Sequence, residues 1–351
     1  MNILIIGPSW VGDMMMSHSL YQGLAQLYPQ CQIDVLAPDW CKPLLQRMPE
    51  VRQAMSMPIG HGEFALKARY HIGKSLRNQY DMAIVLPNSF KSALIPYFAK
   101  IPLRRGWKGE SRYGVLNDLR RNKQDYPMMV QRYVALAYPA NQVPTAQQLT
   151  IPTPYLQTNP TEIAQTKQAF QHQLALTEAR PAIGFCPGAE FGPAKRWPHY
   201  HYAKLAEQLI AQHYSIRLFG SAKDFAVGEQ IRNSLAPELQ PYCINLAGQT
   251  SLNQAVDLIA DCRAIVSNDS GLMHIAAALQ RPLVACYGPT SPQYTPPLSD
   301  NACIIRLIEG GLIKIRQGKD SQEGYHQSLI DIQPEKVLQK LTALLAEQSS
   351  Q

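Results

Sequence analysis

The chain opens on a short apolar run that ends in a glycine and proline loop, Asn2-Ile3-Leu4-Ile5-Ile6-Gly7-Pro8-Ser9-Trp10-Val11-Gly12-Asp13. A second stretch has the same design, with Ala182 to Cys186 running into Pro187-Gly188. Further apolar runs, each followed by a turn and a helical pattern, are Ile33 to Ala37, Met82 to Leu86, Ile216 to Phe219, Ala264 to Ser267 and Leu283 to Cys286. Strands that alternate with helices build parallel sheets from βαβ units. The sequence therefore predicts an α/β protein with doubly wound sheets, whose ligands bind at the carboxyl ends of the strands.

A chain of 351 residues is long enough for two domains, each with its own hydrophobic core. The proline-rich stretch from Val143 to Pro160 separates the two sets of apolar runs and is typical of a linker. We therefore predict two Rossmann-like domains that face a cleft, the first over residues 1–160 and the second over residues 161–333. The last segment, 334–351, has apolar residues at helical spacing and is a candidate to pack back on the first domain.

Composition restricts the partners and surroundings of the protein. The 33 lysines and arginines against 26 acidic residues leave a net charge of +7, which favours anionic partners such as nucleic acid, acidic lipid or phosphorylated sugars. The seven cysteines include no Cys-x-x-Cys pair, so we expect the reduced, mostly buried thiols of a cytoplasmic protein. Gly7-Pro8 ends the first apolar run too early for a signal peptide, and we expect no membrane-spanning segment.

The loop between Gly7 and Asp13 matches neither of two common phosphate-binding motifs. It lacks the Gly-x-Gly-x-x-Gly spacing of dinucleotide-binding folds, and Asp13-Met14 stands where a Walker A loop has Lys-Ser/Thr. A carboxylate in that place repels phosphate. Two interpretations of Asp13 stay open: it caps the helix that follows, or it is a general base at the mouth of the cleft.

Two later loops carry a pattern suited to an anionic ligand. Lys195 and Arg196 follow a glycine loop and precede a helix, so they either neutralise a diphosphate or form a solvated basic pair. The turn Asp269-Ser270-Gly271 lies between a buried strand and an alanine-rich helix. The N-terminus of such a helix binds phosphate through its orphan N–H groups, or is simply a capped turn without a ligand. Asp269 itself suits sugar hydroxyls, and the absence of an Asp-x-Asp motif argues against a metal-held sugar diphosphate.

Most of the net positive charge lies in one segment, residues 100–123, where eight basic residues stand against Glu110 and Asp118. Trp107 and Tyr113 are interleaved with these cations. The segment is a solvated basic face, a nucleic-acid patch without an accompanying motif, or a contact for a polyanionic, partly apolar acceptor at a membrane surface. The mixture of basic and aromatic residues favours the last of these.

Three stretches together carry a family resemblance. They are Asn2 to Met16, Pro187-Gly188-Ala189-Glu190-Phe191-Gly192-Pro193-Ala194-Lys195-Arg196-Trp197-Pro198, and Asn268-Asp269-Ser270-Gly271-Leu272-Met273-His274. Through them the chain resembles the ADP-heptose:lipopolysaccharide heptosyltransferase family over essentially its whole length. The resemblance implies a GT-B fold and an inverting, metal-independent transfer of L-glycero-D-manno-heptose from ADP-heptose to the first heptose of the lipopolysaccharide inner core. It implies no cofactor.

The resemblance also implies roles for single residues. Asp13 matches the base that deprotonates the acceptor hydroxyl, and Lys195 matches the cation that holds the donor diphosphate, so these are the predicted catalytic residues. The predicted donor-binding residues are Gly12, Lys195, Arg196, Asp224, Asp269, Ser270, Gly271 and His274, with Asp224 placed as the ribose-binding acid. The basic segment and its surroundings supply the predicted acceptor-binding residues, Lys91, Arg104, Arg105, Lys108 and Arg112.

The implied partners are ADP-heptose and a phosphorylated heptosyl-Kdo2-lipid A, and no nucleic acid is expected. The protein is expected to be cytoplasmic and to meet this acceptor at the inner face of the membrane.

Other functions stay open on the residues alone. A nucleotide-sugar epimerase of similar build would convert the donor without an acceptor. A non-catalytic protein would bind anions through the basic segment and would bind no ADP-sugar. A nicotinamide-dependent oxidoreductase is disfavoured by the missing glycine fingerprint.

Overall fold

The computed structural model describes residues 1–60, 62–311 and 315–349. The chain divides into two compact domains, Met1–Pro154 and Tyr155–Gln351. The boundary falls inside the proline-rich linker, so the second domain begins at Tyr155 and not at residue 161. The reason is local: the Leu156 N–H donates to the Ala278 carbonyl at 3.2 Å, which fastens the end of the linker to the second domain.

The first domain alternates strands and helices from its first residues onward. Its strands are β1 (Asn2–Ile6), β2 (Gln32–Ala37), β3 (Val51–Ser56), β4 (Met82–Val85), β5 (Leu103–Trp107) and β6 (Asp118–Arg120). Its helices are α1 (Val11–Leu27), α2 (Lys42–Leu45), α3 (Leu66–Ser75), α4 (Leu94–Phe98) and α5 (Met129–Val134). Short 3-10 turns follow β2, β4 and β6 at Asp39–Cys41, Phe90–Ala93 and Lys123–Asp125.

The second domain repeats this alternation. Its strands are β7 (Ala182–Cys186), β8 (Ser215–Leu218), β9 (Cys243–Asn245), β10 (Ala264–Asn268), β11 (Leu283–Tyr287) and β12 (Ala302–Arg306). Its helices are α6 (Pro160–Ala169), α7 (Gln171–Leu174), α8 (His199–Ala211), α9 (Phe225–Asn233), α10 (Leu252–Ala260), α11 (Gly271–Ala278), α12 (Gln327–Ile330) and α13 (Pro334–Ser349). Its 3-10 turns are Ala175–Thr177, Pro193–Lys195, Ala222–Asp224 and Gln240–Tyr242.

Each domain is organised around one six-stranded sheet, with the order β3-β2-β1-β4-β5-β6 in the first domain and β12-β11-β10-β7-β8-β9 in the second. Every pairing between neighbouring strands is parallel. In both sheets the order reverses beside the first strand, between β1 and β4 and between β7 and β10. Such switch points are where open α/β sheets bind ligands. The predicted pair of doubly wound, Rossmann-like domains is confirmed.

Burial explains which strands the sequence reveals. The central strands β4, β7, β10 and β11 are buried along their whole length, as expected for parallel strands covered on both faces. All seven apolar runs predicted as strands are strands, within one residue at either end. The strands that the sequence did not reveal are β3, β5, β6, β9 and β12; four of these are sheet edges, and β5 is interrupted by Arg104 and Arg105.

The C-terminal helix α13 buries its apolar stripe in the second domain. Val337 and Leu341 belong to the same hydrophobic core as Phe185 and Val266, and α13 contacts α8 and the strands β10, β11 and β12. The sequence analysis proposed the first domain as a partner for this stripe. The structure gives the stripe its apolar partners within the second domain.

Two expectations concern the whole chain. Within the described ranges, no helix combines the length and apolar character that a bilayer crossing requires. All seven cysteines are free; Cys31 and Cys303 are half-buried and the other five are buried.

Candidate active site

Asp13 lies in the first turn of α1, next to the switch point of the first sheet. The loop after β1 leads into this helix, and the N-cap residue is Trp10, which makes no side-chain capping bond. The interpretation of Asp13 as the N-cap is therefore wrong. The Asp13 side chain is partly exposed, and Gly12, a predicted donor-binding residue, precedes it in the same helical turn.

Two residues distant in sequence define the surroundings of Asp13. The Tyr133 hydroxyl in α5 donates a hydrogen bond to Asp13 Oδ1 at 3.2 Å. Burial raises the pKa of Asp13 above its ordinary value, against smaller lowering effects of Tyr133 and of the Lys123 ammonium. Burial lowers the pKa of Lys123, and the nearby Arg132 and Arg112 lower it further. A carboxylate with a raised pKa is better matched to proton abstraction near neutral pH than a solvated one.

An ion pair bridges the switch point of the second sheet. Lys195 Nζ and Asp269 Oδ2 lie 2.8 Å apart. Lys195 ends the 3-10 turn in the loop after β7, and Asp269 directly follows β10. Asp269 is buried and Lys195 is only partly exposed. The structure therefore brings together the cation and the carboxylate that the sequence assigned to the donor site from separate motifs.

Asp224 and Arg196 form a second cluster at the same edge of this sheet. Asp224 Oδ2 accepts hydrogen bonds from the Ser221 N–H at 2.9 Å and from the Ser221 hydroxyl at 2.8 Å. Asp224 Oδ1 lies 3.4 Å from Arg196 Nη2. A Cβ atom on Gly188 would lie 2.4 Å from Asp224 Cγ, so the loop after β7 passes this carboxylate only because it has glycine there.

Asn268, the last residue of β10, holds the loop that carries Lys195 and Arg196. Its Oδ1 accepts hydrogen bonds from the Trp197 N–H at 3.0 Å and from the Tyr202 hydroxyl at 3.2 Å. Its Nδ2 donates to the Pro187 carbonyl at 2.7 Å. Asn268 is fully buried, and a satisfied buried network of this kind fixes the position of the loop. The sequence analysis did not assign a role to Asn268, although it stands inside a motif that was singled out.

The remaining donor-site predictions fall at the start of α11. Ser270 is the N-cap of this helix and makes no side-chain capping bond, and Gly271 is the first helical residue. The N-cap side chain therefore does not serve the N–H groups of the first turn. His274 is buried, and burial lowers its pKa to about 4, with a further lowering by Lys195 and an opposing effect of Asp269. His274 is neutral at pH 7 and offers a hydrogen bond, not a positive charge.

The basic segment of the first domain forms β5, β6 and their loops, and part of its charge is buried. Arg105 Nε donates to Asp118 Oδ2 at 2.6 Å, and Arg120 Nε donates to Asp118 Oδ1 at 2.5 Å. Arg105 Nη1 also donates to the Leu136 carbonyl at 2.8 Å. Arg105 and Arg120 are both buried, so both guanidinium groups are held inside the domain, where they share the single negative charge of Asp118.

Arg112, a further predicted acceptor-binding residue, is also buried. Its Nη1 donates to the Pro87 carbonyl at 2.7 Å, and its Nη2 donates to the Trp107 carbonyl. Burial lowers the pKa of Arg112 to about 10, which leaves the guanidinium charged. Because Arg105 and Arg112 hold backbone carbonyls inside the domain, their guanidinium groups are not presented to a phosphorylated acceptor, and we leave both residues out of the acceptor proposal below.

The other predicted acceptor-binding residues reach the surface to different degrees. Lys108 is exposed, and its Nζ lies 5.8 Å from the centroid of the exposed Tyr113 ring. Lys91 is half-buried in the 3-10 turn after β4. Arg104 is half-buried, and its Nε donates to the Val115 carbonyl at 2.8 Å.

The described part of the chain contains no cluster of three or more His, Cys, Asp or Glu side chains that could hold a metal ion.

Two parallel sheets of the same strand order, one in each domain, are consistent with the GT-B glycosyltransferases, which have paired Rossmann-like domains. A family model described as glycosyltransferase family 9 (heptosyltransferase) matches residues 69–326. The lipooligosaccharide heptosyltransferase 2 of Haemophilus ducreyi (strain 35000HP / ATCC 700724) is 74% identical over 99% of this chain and 100% of that protein. The lipopolysaccharide heptosyltransferase 2 of Escherichia coli (strain K12) is 60% identical over the full length of both.

A solved structure, that of the E. coli ADP-heptose lipopolysaccharide heptosyltransferase II, is also similar. It superimposes with a TM-score of 0.89 at 58% identity, over 99% of this chain and 100% of that one. The chain belongs to glycosyltransferase family 9, the heptosyltransferases, and is an enzyme of that class.

Proposed function

We propose that this enzyme transfers L-glycero-D-manno-heptose from ADP-heptose to the first heptose of the lipopolysaccharide inner core, with inversion at the anomeric carbon. The observation that carries the proposal is Asp13: a partly exposed carboxylate with a raised pKa, held by Tyr133 at the switch point of one Rossmann-like domain. The full-length relatives are named lipooligosaccharide or lipopolysaccharide heptosyltransferase 2, and the similar solved structure is that of an ADP-heptose lipopolysaccharide heptosyltransferase, which supports ADP-heptose as the donor and lipopolysaccharide as the acceptor.

Asp13 is the general base in this proposal. It removes the proton from the acceptor hydroxyl as that oxygen attacks the anomeric carbon from the face opposite ADP. Inversion then requires a single displacement, and no second carboxylate has to form a covalent intermediate. Gly12 directly precedes the base in the first turn of α1 and is a donor-binding residue in this proposal.

The second domain holds the donor. Lys195 stabilises the departing diphosphate, helped by Arg196 and by the first-turn N–H groups of α11 after Ser270 and Gly271. Asp269, paired with Lys195 at 2.8 Å, accepts hydrogen bonds from sugar hydroxyls, and neutral His274 adds a hydrogen-bonding group behind it. Asp224 binds the ribose.

The first domain meets the acceptor, a phosphorylated heptosyl-Kdo2-lipid A. Its exposed and half-buried cations Lys91, Arg104 and Lys108 face acceptor phosphates in this proposal. Because the acceptor is a membrane lipid, the enzyme works from the cytoplasm as a peripheral protein at the inner membrane face.

A transfer assay tests the proposal. Purified protein, ADP-heptose and heptose-bearing truncated lipopolysaccharide are expected to yield a product one heptose heavier by mass spectrometry. Donor without acceptor is expected to show at most slow hydrolysis. Turnover of the donor alone to an epimer, or failure of the acceptor to gain mass, would contradict the assigned reaction.

The Asp13→Asn variant tests the base. Loss of a general base costs about 100- to 10,000-fold in kcat, and we expect that loss with an unchanged affinity for ADP-heptose. The amide keeps the size of the carboxylate, so the variant is expected to fold, which a thermal melt checks. Near-normal turnover by Asp13→Asn would remove Asp13 from the mechanism.

A further inference from the structure

Large aromatic side chains are exposed in a row along one edge of the first sheet. Trp10 (53% exposed), Trp40 (53%), Phe90 (36%) and Tyr113 (50%) follow the strands β1, β2, β4 and β5, respectively. These four strands are consecutive neighbours in the sheet, in the order β2-β1-β4-β5. All of them are parallel, so the four rings lie at the same carboxyl edge as Asp13. We call these four residues the aromatic row.

Hydrogen bonds between neighbouring loops hold the row in place. The Trp40 indole N–H donates to the Ser9 carbonyl at 3.0 Å, which ties the turn after β2 to the loop that leads to Asp13. The Phe90 N–H donates to Glu110 Oε2 at 2.9 Å, which ties the turn after β4 to the loop after β5. The rings are thus exposed, and the loops that carry them are joined in two pairs, which lowers the entropy that a ligand loses by ordering them.

The exposure of several aromatic side chains on neighbouring loops indicates a binding surface. A single exposed aromatic residue is ordinary, but apolar groups gathered on one side of a protein mark a binding surface. Adjacent strands are about 4.8 Å apart, so a row across four strands extends roughly 14 Å, wider than one sugar ring. Cations flank one end of the row, since Arg121 and Lys108 lie 5.6 and 5.8 Å from the centroid of the Tyr113 ring.

We propose that the aromatic row is the subsite that seats the sugars of the acceptor, packing their apolar faces so that the reacting hydroxyl comes within reach of Asp13. The inference rests on the proposed function, because it takes the acceptor to be a saccharide. An oligosaccharide suits the row better than a single sugar does because of its length. It also suits the mixture of flat apolar rings with a few polar groups, which is typical of sites for small organic ligands.

The variant Trp40→Ala tests the subsite with a lipid-free acceptor, the oligosaccharide left after the acyl chains of truncated lipopolysaccharide are removed. We expect the KM for this acceptor to rise about tenfold, a typical loss for one aromatic contact. The KM for ADP-heptose is expected to stay the same, and Trp40→Phe is expected to recover most of the loss.

The control is Tyr70→Ala. Tyr70 is an exposed ring of the same domain (39% exposed). It lies in α3, which follows β3, a strand whose following loop carries no residue of the aromatic row. Its loss is expected to leave both KM values unchanged, which separates the subsite from a general effect of removing an exposed ring.

A binding measurement without donor gives a second readout. Trp107 and Trp197 are buried, whereas Trp10 and Trp40 are exposed. The lipid-free acceptor is therefore expected to protect part of the tryptophan fluorescence of the wild type from acrylamide quenching, and to protect less in Trp40→Phe with Trp10→Phe.

Two results overturn the inference, and a third separates it from the proposed function. Unchanged acceptor KM in Trp40→Ala, with no protection from quenching, overturns it. The inference is also overturned if Trp40→Ala has normal kinetics with the lipid-free acceptor but binds vesicles of anionic phospholipid more weakly than the wild type. That result would identify the aromatic row as a membrane contact. Absence of transfer by the wild type, with acceptor protection intact, contradicts the proposed function and leaves the saccharide subsite supported.

Discussion

The Asp13 carboxylate shows how a residue acquires its chemistry from neighbours that are remote in sequence. Burial and the hydrogen bond from Tyr133 act on its pKa in opposite directions, and burial is the larger effect. The ionised carboxylate is the form that accepts a proton. In the proposed mechanism, the balance between these two influences sets the pH above which the enzyme is active.

The Tyr133→Phe variant changes that balance. The hydroxyl stabilises the ionised carboxylate, so its removal raises the pKa of Asp13, and the acid limb of the profile of kcat/KM against pH is expected to move to higher pH. One lost hydrogen bond is worth about 1 kcal/mol. We expect activity at acid pH to fall about three- to tenfold and activity at alkaline pH to stay close to that of the wild type.

Tyr126→Phe is the matched control for this experiment. Tyr126 is a buried tyrosine of the same domain, and its hydroxyl donates to the Pro144 carbonyl at 2.9 Å. The variant loses one buried tyrosine hydrogen bond without touching Asp13, so its acid limb is expected to match that of the wild type. A shift of equal size in both variants would assign the effect to the domain as a whole and not to the base.

Lys195 is the second residue whose role a single substitution tests. A charge-assisted hydrogen bond contributes about 1.5–3 kcal/mol, so Lys195→Gln is expected to weaken ADP-heptose binding about 10- to 100-fold in isothermal titration calorimetry. Lys195→Arg keeps the charge and is expected to retain part of the affinity. Lys204→Gln, a change in an exposed ion pair of the same domain, is the control. Equal affinity in Lys195→Gln and Lys204→Gln would place the diphosphate elsewhere.

At the scale of elements, the neighbouring strands β5 and β6 depend on one acidic residue. Asp118 stands opposite Arg105 in the strand register and accepts hydrogen bonds from both Arg105 and Arg120. Burial raises the pKa of Asp118, but the two arginines together lower it further than burial raises it, and the net pKa is below its ordinary value. The pair of strands is therefore stabilised by an ionised carboxylate.

The Asp118→Asn variant is expected to lose stability because it leaves two arginines buried without a carboxylate. Breaking a buried ion pair from one side costs about 3–5 kcal/mol, measured as the free energy of unfolding in urea. In the wild type this contribution is fully present above the unfolded pKa of Asp118. It is lost as the pH falls through the lower pKa of the folded state.

Lys108→Gln is the control for that loss. It removes a positive charge from an exposed residue next to the strand pair, so its free energy of unfolding is expected to stay within about 0.5 kcal/mol of the wild type. If Asp118→Asn unfolded at the same urea concentration as Lys108→Gln, the arginines would not depend on this carboxylate, and the structural role assigned to them would be wrong.

The edge strands show why the sequence predicts some elements and not others. β7 and β10 are continuous apolar runs because both of their faces are covered. β3 has polar residues at Arg52, Gln53 and Ser56 and no buried residue, and β6 is only three residues long. Such strands form because the neighbouring strand has backbone N–H and C=O groups to pair with. Their own residue pattern does not reveal this.

At the scale of the whole molecule, the net charge of +7 divides into a buried and an exposed part. Arg105, Arg112 and Arg120 are buried, whereas Lys108 and Arg121 are exposed beside Tyr113. In the proposed function, attraction to an anionic acceptor therefore comes from fewer residues than the composition suggests.

Reversal of the two exposed charges tests that attraction. The double variant Lys108→Glu with Arg121→Glu is expected to raise the KM for the phosphorylated acceptor and to leave ADP binding unchanged. The effect is expected to shrink as salt is added, because the Debye length falls from about 10 Å at 0.1 M to about 3 Å at 1 M ionic strength. Steady-state kinetics at low and high salt measure it.

The control is a double variant with the same net charge as Lys108→Glu with Arg121→Glu, but with the substitutions in the second domain. Lys204→Glu with Lys336→Glu alters two exposed lysines of the second domain and produces the same total charge as the first double variant. A rise in acceptor KM in both variants would mean that overall charge, and not the surface near Tyr113, attracts the acceptor.

The sequence by itself determined the fold class, the two domains, the central strands, the loop that leads to Asp13 and the loops that carry Lys195 and Asp269. These features are local, because buried strands, glycine loops and helix starts are encoded in neighbouring residues. Only the tertiary structure decided that Lys195 pairs with Asp269, that Tyr133 holds Asp13, and that two predicted acceptor-binding arginines are buried. Each of these facts depends on distance in space between residues far apart in the chain. The sequence alone does not show whether a basic residue is paired with a carboxylate in the next strand or is exposed to water. The tertiary structure decides this, because it brings the partner into contact.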